Sequence, residues 1–449
     1  MRPKAGGHPL PKPNAGSRTR PPALPVLQPP SHMPAEATAP VPTAPAPSFW
    51  RDLAATHAVS GLVAFLFAAS GPLAIILATG TRGGLSEAQI ASWVFGSLFL
   101  NGVMSAGYSL AWRQPLAFFW TIPGTVLVGP ALGHLSFAEV VGAYIATGVL
   151  MMALGALGLV RRAMAAVPMP IVMGMVAGVF LQFGLDWVRA FQLDWWIAAA
   201  MTATFLAASA IPKLAARLPP MLAALAAGAA AIYATGSFAA GSLADLSRGA
   251  VLAAPQLQLP QLSWTAMAEL VVPLAITVLV VQNGQGVAIL TAAGHRPPVD
   301  AIAIGCGAAS VVSAFVGAVS TCLTGPVNAI ISAGGERRNQ YTAGVMVGVY
   351  AMLFGLVAPL VTRLMLSTPP AFIATLAGLA MLRVLQSAFA VAFQARFALG
   401  ALVTFLVTVA GIPILNIGAP FWALIAGTLV SLVLEREDWR AADPAKAPR

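Results

Sequence analysis

The chain has 449 residues, of which 58% are hydrophobic and only 8% charged, with a formal net charge of +10. A soluble domain carries roughly 25% charged residues, so this sequence cannot clothe a water-facing surface, and its mean hydropathy of +0.83 agrees. The positive charge does not mark nucleic-acid binding, because Lys and Arg fall singly or in pairs between apolar runs, with no basic stripe interleaved with aromatics.

Residues 1–48 are rich in Pro and Ala and hold no apolar run. They read as a disordered cytoplasmic tail with polyproline character rather than a secretory signal, since an h-region and a cleavage site are both missing. Met33 is an alternative start to Met1. From His57 onward about 14 apolar segments follow, each bounded by Gly, Pro or charge. The first seven run roughly 57–80, 89–110, 116–133, 138–160, 167–188, 194–211 and 219–236. The second seven run roughly 268–291, 299–317, 319–334, 341–362, 368–387, 396–412 and 415–434. The expected organisation is a first repeat (49–236), a linker (237–266), a second repeat (267–435) and a C-terminal tail (436–449). Seven segments per repeat is an odd number, so the second repeat is inverted relative to the first.

Charge placement supports that layout. With the N-terminus inside, the inner loops carry Arg113, Arg161, Arg162, Lys213, Arg217, Arg296, Arg337, Arg338 and Arg396. The outer loops carry Arg82, Arg189, Arg248 and Arg363, mostly beside Glu87, Asp186, Asp194 or Asp245. This is the positive-inside pattern, and it predicts a multi-pass membrane protein with both termini cytoplasmic.

The third segment of each repeat is short and broken. One reads Phe118-Phe119-Trp120-Thr121-Ile122-Pro123-Gly124-Thr125, the other Ser320-Thr321-Cys322-Leu323-Thr324-Gly325-Pro326-Val327-Asn328. Paired interruptions at matching places point to the substrate site of an inverted-repeat carrier. An unwound stretch is tolerated in lipid only inside protein or beside a water-filled cavity. The helices restarting after each break would present free N–H groups and dipole ends of about +0.5 charge to each other, a receptor for an anion. Thr121, Gly124, Thr125, Thr324, Gly325 and Asn328 lie at those restarts, to cap them or to bond the ligand. The competing reading is a pair of ordinary kinks repaired by neighbouring helices.

Trp120 stands at the end of the first extended stretch, where an indole can present a flat face to a planar ligand. Trp93, Trp195, Trp196 and Trp264 read instead as packing or interfacial residues, and Phe118 and Phe119 as packing. The eighth segment contains Gln282-Asn283-Gly284-Gln285-Gly286 within an apolar helix. Three carboxamides there are costly unless they face a cavity or bind neighbouring helices, and Gln282 and Gln285 share a face. Ser70-Gly71-Pro72 adds a break in the first segment, expected to face the same cavity.

Enzymatic chemistry is not expected. Glu139, Asp186, Glu269 and Asp300 sit only at segment ends, and no HExxH, GxSxG, Walker loop or acidic pair is present. Cys306 and Cys322 lie inside apolar runs with no metal-site spacing, so no metal or cofactor is expected. Uphill transport would then draw on an ion gradient.

The Trp120-Thr121-Ile122-Pro123-Gly124 run, the Gln282–Gly286 run with its trailing Ala292-Ala293-Gly294-His295, and the seven-plus-seven layout resemble the benzoate/proton symporter family over about 57–434. That family is related in fold to the uracil/xanthine and sulfate permeases. The resemblance implies an all-α membrane protein in which a core domain (segments 1–4 and 8–11) moves against a gate domain (segments 5–7 and 12–14). It places substrate between segments 3 and 10, and makes a homodimer through the gate domains the expected assembly. Nucleobase permeases of this fold carry an acidic residue about where Gln282 stands, so its neutrality here fits an anionic substrate. The tenth segment carries Cys322 and Asn328 in a spacing different from the His and Asn expected of the benzoate family. The expected function is import of an aromatic carboxylate with a proton. The carboxylate would sit between the half-helix ends, with Trp120 on its ring and Gln282, Asn283 and Gln285 hydrogen-bonding. The proton would ride on the substrate's own carboxyl group or on a peripheral residue such as Glu269 or His134. The alternatives are a nucleobase or inorganic-anion carrier of the same fold, or an uncoupled anion channel.

Overall fold

The computed structural model describes residues 49–165, 167–211, 219–237, 250–394, 396–415 and 417–442. The expected tail 1–48 and much of the linker, with Lys213, Arg217 and Arg248, lie outside them. Fourteen helices fall on the apolar segments. In the first half they are α1 (Ala55–Arg82), α2 (Glu87–Trp112), α3 (Ile122–Ala131), α4 (Phe137–Ala156), α5 (Met169–Leu193), α6 (Trp195–Ala210) and α7 (Pro220–Thr235). In the second half they are α8 (Trp264–Ala292), α9 (Val299–Ala314), α10 (Gly325–Ile331), α11 (Tyr341–Leu356), α12 (Pro370–Ala392), α13 (Ala398–Ala410) and α14 (Ala419–Leu434).

Six of these, α1, α2, α4, α5, α8 and α12, are long and apolar enough to cross a membrane alone. Helix α11 would be a seventh only together with the short helix Ala358–Leu366, from which it is bent by 67°. Helices α3, α6, α7, α9, α13 and α14 have 10–17 residues, fewer than the ~20 a hydrocarbon core requires. For α3 and α10 the reason is plain: part of each segment is a strand. β1 (Phe118–Trp120) and β2 (Thr321–Leu323) pair antiparallel, Phe118 opposite Leu323, Phe119 opposite Cys322 and Trp120 opposite Thr321.

The helix starts are written in the sequence. Ser86 accepts from the Gln89 N–H at 3.2 Å while Gln89 accepts from the Ser86 N–H at 2.9 Å, a reciprocal cap on α2. Ser136 and Glu139 do the same for α4. Between the α1–α2 turn and the last turns of α5, Asp186 binds Arg82 and Arg189, and Glu87 at the start of α2 binds Arg363 at 3.0 Å. The described outer-loop arginines Arg82, Arg189 and Arg363 are thus joined to acidic residues.

Two buried clusters divide the helices. One gathers α1–α4 with α8 and α11 around Trp93, Trp120, Tyr144, Leu270 and Val347. The other gathers α5–α7 with α12–α14 around Phe180, Met201, Phe372, Ala401 and Leu424, and takes in Ala74 and Ile75 of α1 and Val126 and Leu127 of α3 where the two groups meet. These are the core and the gate. Inside the core the inverted repeat is visible as matched close approaches. A Cβ on Gly102 of α2 would lie 2.6 Å from the Gly348 carbonyl of α11. A Cβ on Gly148 of α4 would lie 2.7 Å from the Gly307 carbonyl of α9. Glycine at these crossings lets backbones touch, the packing that drives helix association in lipid.

Candidate functional site

The strand pair is held from both sides by equivalent serines. Ser105 of α2 accepts from the Phe118 N–H at 2.8 Å, and Ser310 of α9 accepts from the Thr321 N–H at 2.9 Å. Two carboxamides complete the end where Phe118 faces Leu323. Asn328 accepts from the Ala117 N–H at 2.9 Å and donates to the Ala117 and Thr324 carbonyls at 3.0 and 2.8 Å. Asn283 accepts from the Leu323 N–H at 2.7 Å, and its amide faces Cys306 Sγ at 3.7 Å. Asn101 accepts from the Thr321 hydroxyl at 2.7 Å, just after the π-helical turn Gly96–Leu100. Irregular backbone at this depth survives because side chains replace the missing helix bonds.

Beside the ribbon lies a cavity of about 860 Å³ between core and gate. Its core wall is Ser70 of α1, Trp120, Ile122 and Pro123 of the first break, Gln282 and Gln285 of α8, and Thr324 and Pro326 of the second. Its gate wall comes from α5, α6, α7 and α12, including Met173, Phe180, Met221 and Arg383. The expected site residues therefore separate into two groups. Ser70, Trp120, Gln282, Gln285 and Thr324 border the cavity. Thr121, Gly124, Thr125, Asn283, Gly325 and Asn328 do not, and most are engaged by the scaffold. Thr121 caps α3 by accepting from the Gly124 N–H at 3.2 Å, and Thr125 donates back to the Thr121 carbonyl at 2.9 Å. A Cβ on Gly124 would meet Thr121 and Leu274, and one on Gly325 would come within 2.6 Å of Gln285. Gly325 thus clears room for that side chain.

The two helix starts, expected to face each other, are separated by the length of the ribbon. They leave opposite ends of the ribbon, Thr121 bonded to Ser320 and Thr324 to Ala117, which puts them roughly 13 Å apart at 3.3–3.4 Å per residue. Pro123 and Pro326 have no N–H to offer, and Thr121 already uses that of Gly124. Few backbone donors are left for an anion there.

The cavity side chains keep unused polar capacity. Among the described residues neither Gln282, 7% exposed, nor Gln285 makes a hydrogen bond to protein, and the Trp120 indole N–H has no partner. Trp120 is 2% exposed and packed edge-on against Phe119, so its ring is a wall of the cavity and not a free-standing plate. Arg383 escapes a motif-based reading; the signal for it is a lone charge inside the apolar run 368–387.

A second arrangement lies where the core meets the gate. His134, after α3, has its Nε2 2.8 Å from the carboxylate of Glu269, whose side chain is 4% exposed. Glu269 stands in a π-helical stretch of α8 (Met267–Val271). Gly418, the residue before gate helix α14, lies directly against it, and a Cβ there would come within 2.3 Å of the carboxylate. Glu139 is the other carboxylate near His134. Cys306 and Cys322 are buried and unpaired by disulfide, and among the described residues no cluster could hold a metal ion.

Comparison with known proteins places this architecture. The family described as "Benzoate membrane transport protein" matches residues 51–433. The benzoate membrane transport protein of Acinetobacter baylyi is 28% identical over 389 residues, 86% of this chain and 96% of that protein. The inner membrane protein YdcO of Escherichia coli is 29% identical, covering 84% of this chain and 95% of YdcO. The transmembrane domain of the cyanobacterial bicarbonate transporter BicA superposes with a TM-score of 0.53 at 16% identity, covering 84% of this chain and 98% of that one. The murine anion transporter Slc26a9, inward-facing, gives 0.56 at 13% identity, covering 84% of this chain and 68% of that one.

Proposed function

The chain belongs to the benzoate membrane transport protein family, a membrane transporter and not an enzyme, and from that premise we propose that it imports an aromatic carboxylate together with a proton across a bacterial inner membrane. The observation that carries this reading is the cavity wall. Two carboxamides with free hydrogen-bonding capacity, Gln282 and Gln285, face a space whose lining also includes Trp120, Phe67, Phe119, Phe180 and methionines. Unsatisfied amides are costly in an apolar setting. A ligand with a flat apolar body and a polar head answers both surfaces. Among the described residues no carboxylate lines the cavity, which speaks against a nucleobase held by an acidic residue.

The cavity is bordered on the gate side by Met169 at the start of α5, Ser209 near the end of α6, Pro219 and Pro220 at the start of α7, and Val391 near the end of α12. The positive-inside pattern assigns these helix ends to the cytoplasm, so this is an inward-open arrangement with both termini inside. Movement of the core against the gate would then expose the same cavity outward. The outer faces of α13 and α14, with Leu402, Leu406, Leu429 and Val433 exposed, suit lipid or the gate of a second copy.

The test is uptake of labelled benzoate into proteoliposomes, with and without an inward proton gradient, against protein-free liposomes. Protein-dependent accumulation that follows the gradient supports the reading. Uptake indifferent to the gradient and without counterflow would favour a channel, and competition by nucleobases or inorganic anions would reassign the substrate. Replacing Trp120 with Ala is expected to weaken aromatic carboxylates roughly 3- to 10-fold, the worth of one aromatic contact. Small anions should be unaffected. Equal loss for both would remove the ring contact from the mechanism.

A further inference from the structure

We propose that Arg383 supplies the positive charge that selects an anion in the cavity, and that the bound anion ties gate helix α12 to the core amides of α8. The inference rests on reading the cavity as a substrate site.

Among the described residues that line the cavity, Arg383 is the single charged one. It stands in α12, one of the six helices long and apolar enough to span a membrane. It lies nine residues before the helix end at Ala392, about 13 Å inside at 1.5 Å per residue. A charge at such a place faces a bundle interior or a water-filled cavity and marks a ligand or ion path. Other arginines are neutralised: Arg82 and Arg189 by Asp186, Arg338 by Glu336, Arg363 by Glu87. Among the described residues Arg383 has no hydrogen bond and no ion-pair partner, and no acidic residue borders the cavity. Among the described residues the cavity lining therefore carries one positive charge without a partner. A guanidinium presents paired N–H donors that match a carboxylate.

Position gives that charge a second role. Helix α1 runs on through Ser70-Gly71-Pro72 without the expected break, and it touches α12 one turn before Arg383, where a Cβ on Gly71 would lie 2.4 Å from that of Ala380. Arg383 thus follows directly on a core–gate contact, across the cavity from Gln282, Gln285 and Trp120. An anion held by Arg383 on one side and by the amides on the other spans the two bodies that must move against each other. A neutral ligand of the same shape engages only the core wall. Arg383 could instead be a topological charge kept near the cytoplasmic side, and it would then leave ligand discrimination untouched.

Binding of benzoate and of its neutral isostere benzamide to the purified full chain, read by calorimetry, separates the two. Wild type should prefer benzoate by tenfold or more. Arg383→Gln should weaken benzoate roughly 10- to 100-fold, as expected for charge-assisted hydrogen bonds, and leave benzamide unchanged. Arg383→Lys, retaining a point charge without the fork, should fall between and guards against a folding defect in the first variant. Wild-type affinity for benzoate in both variants overturns the proposal. Should wild type bind neither aromatic, the substrate assignment fails separately, and nitrate titration decides Arg383. Loss of nitrate binding in Arg383→Gln sustains its role; nitrate binding that is unchanged, or absent from wild type, overturns it.

Discussion

Asn328→Ala is expected to abolish transport and lower the unfolding temperature of the ligand-free protein, whereas Gln285→Ala should abolish binding with the unfolding temperature unchanged. Both are carboxamides beside the same break, yet their circumstances differ. Asn328 is fully buried and makes three hydrogen bonds that close the end of the strand pair. Its loss strands the Ala117 N–H in a dry interior, a cost of about 1–3 kcal/mol, or roughly 1–4 °C for a folded body of this length. Gln285 bonds nothing in the protein and faces the cavity. Differential scanning fluorimetry with and without benzoate distinguishes the two. An Asn328→Ala protein that melts like wild type would mean that the amide's role is ligand contact and not scaffold.

Glu269→Gln should disconnect uptake from the proton gradient while sparing substrate exchange. Glutamine keeps the shape of Glu269 and a hydrogen bond to His134, 2.8 Å away, but cannot take up a proton. A histidine–carboxylate pair is a common device for capturing and releasing one, and this pair is pressed against Gly418 at the foot of gate helix α14. Its charge is therefore felt where the core meets the gate. One proton per substrate sets a limit of tenfold accumulation per pH unit. Wild-type proteoliposomes should approach that ratio, and Glu269→Gln should fall to about one with counterflow of labelled substrate retained. Gradient-driven accumulation that survives the substitution would assign the proton to the substrate's own carboxyl group.

How far the sequence could be read differs by element. The broken segments were legible because Pro and Gly interrupt apolar runs at matching places, and the strands fall at 118–120 and 321–323, within the expected stretches. The carboxamides were legible as residues needing partners, but not which ones find them inside the protein. Gln282 and Asn283 are adjacent, and only the turn of the helix sends one to the cavity and the other to the Leu323 N–H. His134 and Glu269 each stood out as a titratable residue near a segment end, yet nothing in linear order joins residues 135 positions apart. Arg383 was hidden by its own plausibility as an inner-side charge: the direction in which it points depends on how α12 leans on α1 and α7, a property of packing alone.

The strand pair has one further consequence, for how the protein is made. Each strand has three residues, and its partner lies about 200 residues away in the other half. At 5–20 residues per second, a ribosome delivers the second strand roughly 10–40 s after the first. Through that interval the first break has emerged without the groups that satisfy its backbone, and hydrocarbon offers none. The nascent first half therefore cannot settle into the bilayer as a finished unit. It must wait at the insertion machinery or in a wetter place until its twin arrives, so a chain truncated between the halves should be degraded instead of accumulating as a half-carrier.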